Sequence, residues 1–121
     1  MGRLIGRLWR RLRSLFAAPW VRRIRLVAAA DDVSHDLPHG EMILVGSLAK
    51  TKWIVFTCPC GRGHVIWLNA QTSQYPHWKV GGRDRQVTLW PSIWVGEPWG
   101  CHFWIRRGRV FWTKVRVDPD T

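Results

Sequence analysis

The sequence predicts a mostly β protein: one small curled sheet or barrel in a single domain, preceded by an amphipathic helix. Three observations carry that prediction. Seven short runs rich in β-branched and aromatic residues follow one another from Ile24 onward, each bounded by Gly, Pro, Asn or Lys-Thr punctuation. No run after Pro19 shows helical periodicity of useful length. With 121 residues, 46% of them hydrophobic and 22% charged, the chain can bury one core, whereas two cores would each leave too much surface in water.

From Arg3 to Phe16 the apolar residues Leu4, Ile5, Leu8, Trp9, Leu12, Leu15 and Phe16 recur every three or four positions, with arginines on the other face. That spacing predicts an amphipathic helix over residues 1–18, stopped at Pro19 because proline disfavours helical geometry in the residue before it. Residues 19–30 read as a linker running into a first strand, Ile24–Val27. Asp31 to Gly40 is rich in turn formers and reads as an exposed loop. The β domain is expected over 31–117, with strands at Met42–Val45, Trp53–Cys58, Val65–Leu68 and Gln86–Leu89. Two more, His102–Arg106 and Arg109–Val115, flank Arg107-Gly108, where glycine supplies the positive φ of a tight hairpin. Residues 118–121 form a tail. Trp53, Trp67, Trp104 and Trp112 fall inside these strands and are expected to pack in the core.

Charge is distributed unevenly. The net charge is +11, and the first 25 residues hold eight arginines and no acid, leaving eleven basic and eight acidic residues in the rest. The body is therefore only mildly basic, which argues against nucleic acid as its partner. A membrane or polyanion surface, if the protein has one, belongs to the leading helix, on Arg3, Arg7, Arg10, Arg11 and Arg13. The alternative is that the helix packs its apolar face on the β body or on another protein. Its charges run through the apolar stretch, so it reads as neither an export signal nor a bilayer span. Three cysteines, an odd number, argue against a disulfide framework and for a cytoplasmic protein, with peripheral membrane association through the helix as an option.

Two segments could carry chemistry. Cys58-Pro59-Cys60-Gly61-Arg62-Gly63-His64 has the look of a knuckle between strands, and Cys101 is the natural third sulfur. His64 or His102 would complete a tetrahedral set for one structural zinc. Buried free cysteines acting as small hydrophobes are the plain alternative. The second segment joins Trp90-Pro91-Ser92 to Cys101-His102, ten residues apart in Ser92 and His102, so that hairpin pairing could set a hydroxyl against an imidazole. Adjacent residues in an extended strand face opposite ways, so Cys101 and His102 should not serve one centre. Trp90, Trp94 and Trp99 crowd the same segment and could wall a substrate groove. Asp31, Asp32, Asp84 and Glu97 qualify as partners for His102 by composition alone. From these residues two functions stay open: a hydrolase using Ser92 and His102, and a non-catalytic zinc-stabilised β module that binds a protein partner. A metal-dependent hydrolase is a weaker variant, since thiolate-rich zinc sites tend to be closed structural ones.

Taken in order, several stretches resemble the BubE-type peptidase family of bacterial ubiquitination-like (Bub) operons, and the resemblance runs through nearly the whole chain. They are the Arg/Trp-rich leader, Asp36-Leu37-Pro38, Cys58-Pro59-Cys60-Gly61, Val65-Ile66-Trp67-Leu68-Asn69, Thr88-Leu89-Trp90-Pro91-Ser92-Ile93 and Cys101-His102-Phe103-Trp104 through Trp112. The resemblance implies a serine peptidase that processes or removes a ubiquitin-like modifier, with Ser92 as nucleophile, His102 as general base and the cysteine cluster structural. It also implies, as partners, the modifier and its conjugates. Two departures stand out. Arg62 and His64 occupy places where family members often have a third cysteine and a glutamate, and Cys101 directly adjoins His102 where many members have one or two residues between.

Overall fold

The computed structural model describes residues 19–47 and 49–113. The expected helix over 1–18, its arginines Arg3, Arg7, Arg10, Arg11 and Arg13, and the tail lie outside the described residues. Among the described residues nine strands run in the order β1 Arg23–Val27, β2 Glu41–Gly46, β3 Thr51–Thr57, β4 Val65–Asn69, β5 Lys79–Gly81, β6 Thr88–Trp90, β7 Ile93–Val95, β8 Cys101–Arg106 and β9 Arg109–Trp112. Short 3-10 turns sit at Ala30–Asp32 and Asp84–Gln86. Among the described residues no helix is long and apolar enough to cross a membrane.

The protein is mostly β, as expected, but the expectation of one curled sheet or barrel is corrected. The strands make three small sheets, in the orders β1-β2-β3-β4, β5-β6 and β7-β8-β9. β1 lies parallel to β2 and the other pairings are antiparallel. The physical reason lies between Trp90 and Ile93. β6 and β7 run in one line along β8: Ile93 pairs with Phe103, while Gly108 donates its N–H to Val87 O at 2.7 Å beyond the far end of β8. Proline has no N–H for a ladder, so Pro91 splits what would be one long strand into two of three residues each.

Alternation along the strands builds the core. Cys101, Phe103 and Ile105 of β8 turn inward with Ile93 of β7 and Leu89 of β6, and meet Met42, Leu44, Ile54 and Phe56 of the four-stranded sheet. Phe56 meets Phe103 edge to face at 6.3 Å. The second face of β2 and β3 is covered as well, where Ile43, Val45 and Val55 pack under Val27, Val33, Leu37 and Trp53. The crossover between the parallel strands β1 and β2 supplies Val33 and Leu37 of that cover. Arg25 reaches Glu41 at 2.9 Å, giving the buried carboxylate its partner.

The tryptophans depart from expectation. Trp67 and Trp112 are exposed, Trp53 and Trp104 half-buried, and none of the nine described tryptophans is among the buried residues. The core is made of aliphatics, phenylalanine, Met42 and the two buried cysteines Cys58 and Cys101. Trp104 alternates to the outer side of β8, whereas Trp112 stands opposite Phe103 and meets its ring at 5.1 Å while remaining half exposed at the edge of its sheet.

Candidate functional site

The break between β6 and β7 presents Ser92. Across the β7–β8 pair, Trp94 stands opposite His102, which places Ser92 two residues away on the same face and diagonal to the imidazole. The diagonal is bridged: Ser92 Oγ and His102 Nε2 are 2.8 Å apart. Both ends are held through their backbones. The Trp78 indole donates to Ser92 O at 3.2 Å, and the N–H and hydroxyl of Thr113 donate to His102 O at 3.0 and 3.3 Å. The Trp94 ring sets its edge against the imidazole at 5.2 Å. A serine hydroxyl donating to a neutral imidazole at this distance is poised for proton transfer as the oxygen attacks. For Nε2 to accept, Nδ1 must carry the other hydrogen, and Nδ1 is buried with no hydrogen-bond partner among the described residues. None of Asp31, Asp32, Asp84 and Glu97 bonds it. Among the described residues the arrangement is a dyad.

The opposite face of β8 carries the second constellation. Cys58 follows the end of β3, Cys60 and His64 lie in the turn to β4, and Cys101 opens β8. Their four ligand atoms all lie within 4.8 Å of one another. His64 Nε2 is 3.2 Å from Cys60 Sγ and 3.8 Å from Cys101 Sγ. The turn is shaped for this: Gly61 and Gly63 have φ of +82° and +85°, the Cys58 N–H donates to His64 O at 2.8 Å, and the Arg62 N–H donates to Cys60 Sγ at 3.4 Å. No disulfide joins the three thiols.

Those donors fit zinc. Tetrahedral Zn–S bonds of about 2.3 Å put ligand atoms roughly 3.8 Å apart, close to what the cluster already shows. Three sulfurs and one imidazole are also the donor types that a structural zinc takes. Burial pushes the Cys58 thiol up to about 12, and its sulfur neighbours Cys60 and Cys101 add to this against a lowering backbone hydrogen bond. At Cys60 burial raises the pKa too, but hydrogen bonds from the Arg62 backbone and side chain, with Cys58 and His64, outweigh it and bring the thiol down to about 6. Arg62 also donates to Cys101 Sγ at 3.1 Å and to Trp99 O, and its guanidinium lies 5.3 Å from the Trp99 ring centre. Three thiolates around a divalent cation leave one net negative charge, which this guanidinium is placed to offset.

The structure therefore gathers Cys58, Cys60, His64 and Cys101 in one place and Ser92 with His102 in another, with His102 turned away from the sulfurs. The three tryptophans divide. Trp94 stands beside the dyad, Trp90 lies exposed one strand end away, and Trp99 stacks on His64 with ring centres 4.1 Å apart and so belongs to the wall of the cluster. Sequence reasoning missed Arg62, Trp78 and Thr113. Arg62 was visible as a cation inside the cysteine turn, whereas the other two act through contacts with the Ser92 and His102 backbones that no local pattern announces.

A family model described as "Bacterial ubiquitination-like system serine protease (BubE)" matches residues 29–113. That span holds every residue of the dyad and the cluster. No curated protein matches the chain, and no solved structure does.

Proposed function

The chain belongs to the BubE family, and from that premise we propose that it is a serine peptidase that processes or removes a ubiquitin-like modifier. The observation that carries this reading is the 2.8 Å approach of Ser92 Oγ to His102 Nε2. Ser92 attacks the carbonyl at the end of the modifier's tail while His102 takes the hydroxyl proton. The imidazolium then gives that proton to the leaving amine, and the tail remains as an ester on Ser92. Water, deprotonated by His102, releases it. Trp94 and Trp90 flank this position and would wall a narrow groove for a glycine-terminated tail. The orphaned Nδ1 means that no carboxylate of the described residues orients the imidazole; Trp94 and the Thr113 hydrogen bonds hold it instead.

Cys58, Cys60, His64 and Cys101 would hold one zinc, whose chemistry there is structural cross-linking. The thiol-rich site suits a reducing cytoplasm. The test is cleavage of a modifier fused through its C-terminus to a reporter. Wild-type protein should release the reporter and Ser92→Ala should not; equal rates would end the nucleophile assignment. A second reading, a non-catalytic zinc-stabilised module that binds a protein partner, draws on the same unpartnered Nδ1. It is favoured if zinc is stoichiometric, chelation unfolds the protein and no fusion is cleaved.

A further inference from the structure

The face that carries Ser92 and His102 continues past them. By strand parity Trp104 and Arg106 follow His102 on the outer side of β8, and Arg109 stands opposite Arg106 on β9, while Cys101, Phe103 and Ile105 take the core side. Four residue-to-residue steps of extended strand separate His102 from Arg106, about 13 Å. At that end of the face opens a groove of about 1120 Å³, whose walls include Arg83, Arg85, Arg107, Arg109 and Trp90, with Asp84 the one acid among the described residues that line it.

The fold gathers this charge from two loops and the first residue of β9. The Arg83–Gln86 turn and the β8–β9 turn are pressed together by backbone contacts: Gly108 N–H to Val87 O at 2.7 Å and Arg107 N–H to Thr88 Oγ1 at 2.9 Å. A Cβ on Gly108 would fall 1.7 Å from Arg85 O. None of the four arginines forms an ion pair with a described residue. Bringing like charges together without partners among the described residues raises the energy of the free protein and favours any anion that enters. Guanidinium forks suit carboxylates held two at a time. Trp90, half exposed on the groove's rim, is two residues from Ser92, so the charged surface is continuous with the strand that presents the nucleophile.

We propose that this arginine groove is the docking surface for a carboxylate-rich segment of the protein substrate, engaged while the substrate's tail reaches Ser92. The proposal rests on the peptidase reading for its choice of a polypeptide: an anion-binding surface on the same face as an acyl-transfer dyad serves the molecule whose carbonyl is attacked. Docking here would select substrates by an acidic surface that the narrow tail cannot encode, and would raise the association rate.

The test uses the full chain carrying Ser92→Ala and a fluorescein-labelled peptide of about twelve residues, rich in Glu and Asp, with a neutral peptide and a single-stranded oligonucleotide of equal charge beside it. The acidic peptide should bind, and affinity should fall about tenfold or more between roughly 50 and 300 mM salt. Arg83→Glu with Arg85→Glu should weaken it by at least about tenfold. Asp84→Asn should tighten it about twofold, a gain that misfolding does not produce; asparagine tolerates the positive φ of 51° at that position. Absence of binding, affinity unchanged by the arginine reversals, or tighter binding of the oligonucleotide would each overturn the proposal. Fluorophosphonate labelling of the wild-type serine runs alongside. Its failure would remove the peptidase reading, while docking is judged from the binding data alone.

Discussion

Replacing Gly108 by alanine should destabilise the protein by about 4 kcal/mol, against about 1 kcal/mol for the same change at Gly61. The two glycines share a left-handed backbone, φ +73° and +82°, so both substitutions carry the cost of an L residue there, about 1 kcal/mol. They differ in surroundings. Nothing lies within 4 Å of a Cβ on Gly61, whereas one on Gly108 would sit 1.7 Å from Arg85 O and 2.9 Å from Arg85 C. Backbone carbonyls cannot rotate aside as a flexible side chain can, so the two loops must part. Parting strains three hydrogen bonds made by Gly108: its N–H to Val87 O at 2.7 Å, and Trp20 and Val21 N–H to its O at 2.8 and 2.9 Å. At roughly 1 kcal/mol each, they account for the remaining 3 kcal/mol. Urea unfolding followed by tryptophan fluorescence measures both variants, with m expected to stay constant. If Gly108→Ala and Gly61→Ala unfold at the same denaturant midpoint, the close approach of the two loops is not real, and the groove they form loses its footing with it.

Other expectations follow from the same geometry. Ser92→Ala and His102→Ala should each lower kcat on the modifier fusion by a factor on the order of 10⁴ or more, and the double variant should be no worse than either alone, because the pair acts as one unit. Additive losses, read from single-turnover kinetics, would contradict that. Removal of metal by a chelator at neutral pH should lower the thermal midpoint. In the metal-free protein iodoacetamide should modify Cys60, partly exposed and with its thiol near 6, well before buried Cys58 near 12, and added zinc should suppress both. Peptide mapping by mass spectrometry checks the order. Arg62→Gln should weaken zinc binding about tenfold or more, since it removes the cation beside Cys101 and Cys60; competition with a chromophoric chelator measures it.

Much of this molecule could be read from its residues, and the limits of that reading are physical. The Ser92 and His102 pairing was legible because a period of two and a ten-residue separation leave few hairpin registers, and in the observed one Trp94 faces His102. The separation of Cys101 from His102 followed from the same period. The zinc-type cluster was legible as a turn with two sulfurs and a histidine, but the choice of His64 over His102 needed the strand parity to be right. β5 and β7 were missed because three residues are too few to display a pattern, and the three-sheet architecture was missed because one proline's effect on a ladder depends on what lies beside it. The tryptophans misled in the other direction: a large apolar ring in a strand suggests burial, yet which face of the strand is inward is set by residues on other strands. The arginine groove was invisible for a different reason. Arg85 and Gly108 lie far apart in sequence, and only the folded chain sets their backbones in contact.

The two constellations are not independent, because they share one strand. Cys101 and His102 are consecutive on β8 and face opposite sides, so whatever fixes the sulfur also fixes the origin of the imidazole. The connection from β7 to β8 is braced from the cluster side: Trp99 stacks on His64 at 4.1 Å, and the Arg62 guanidinium lies 5.3 Å from the same ring and donates to Trp99 O. Both strands that present the dyad therefore leave a loop pinned by the cysteine turn. A dyad has only its geometry to work with, and here no described residue partners Nδ1 to restore the imidazole's aim after a displacement. An error of about 1 Å in such a group costs roughly a hundredfold in rate. Cys101→Ser, which keeps the size of the side chain but weakens its hold on a zinc, should then slow fluorophosphonate labelling of Ser92 by about that factor, at temperatures where tryptophan fluorescence shows the protein still folded. Arg106→Gln, on the same strand but outside the cluster, is the comparison. Labelling that slows equally in both variants would mean that β8 responds to any change along it, and that the sulfur cluster has no particular hold on the position of His102.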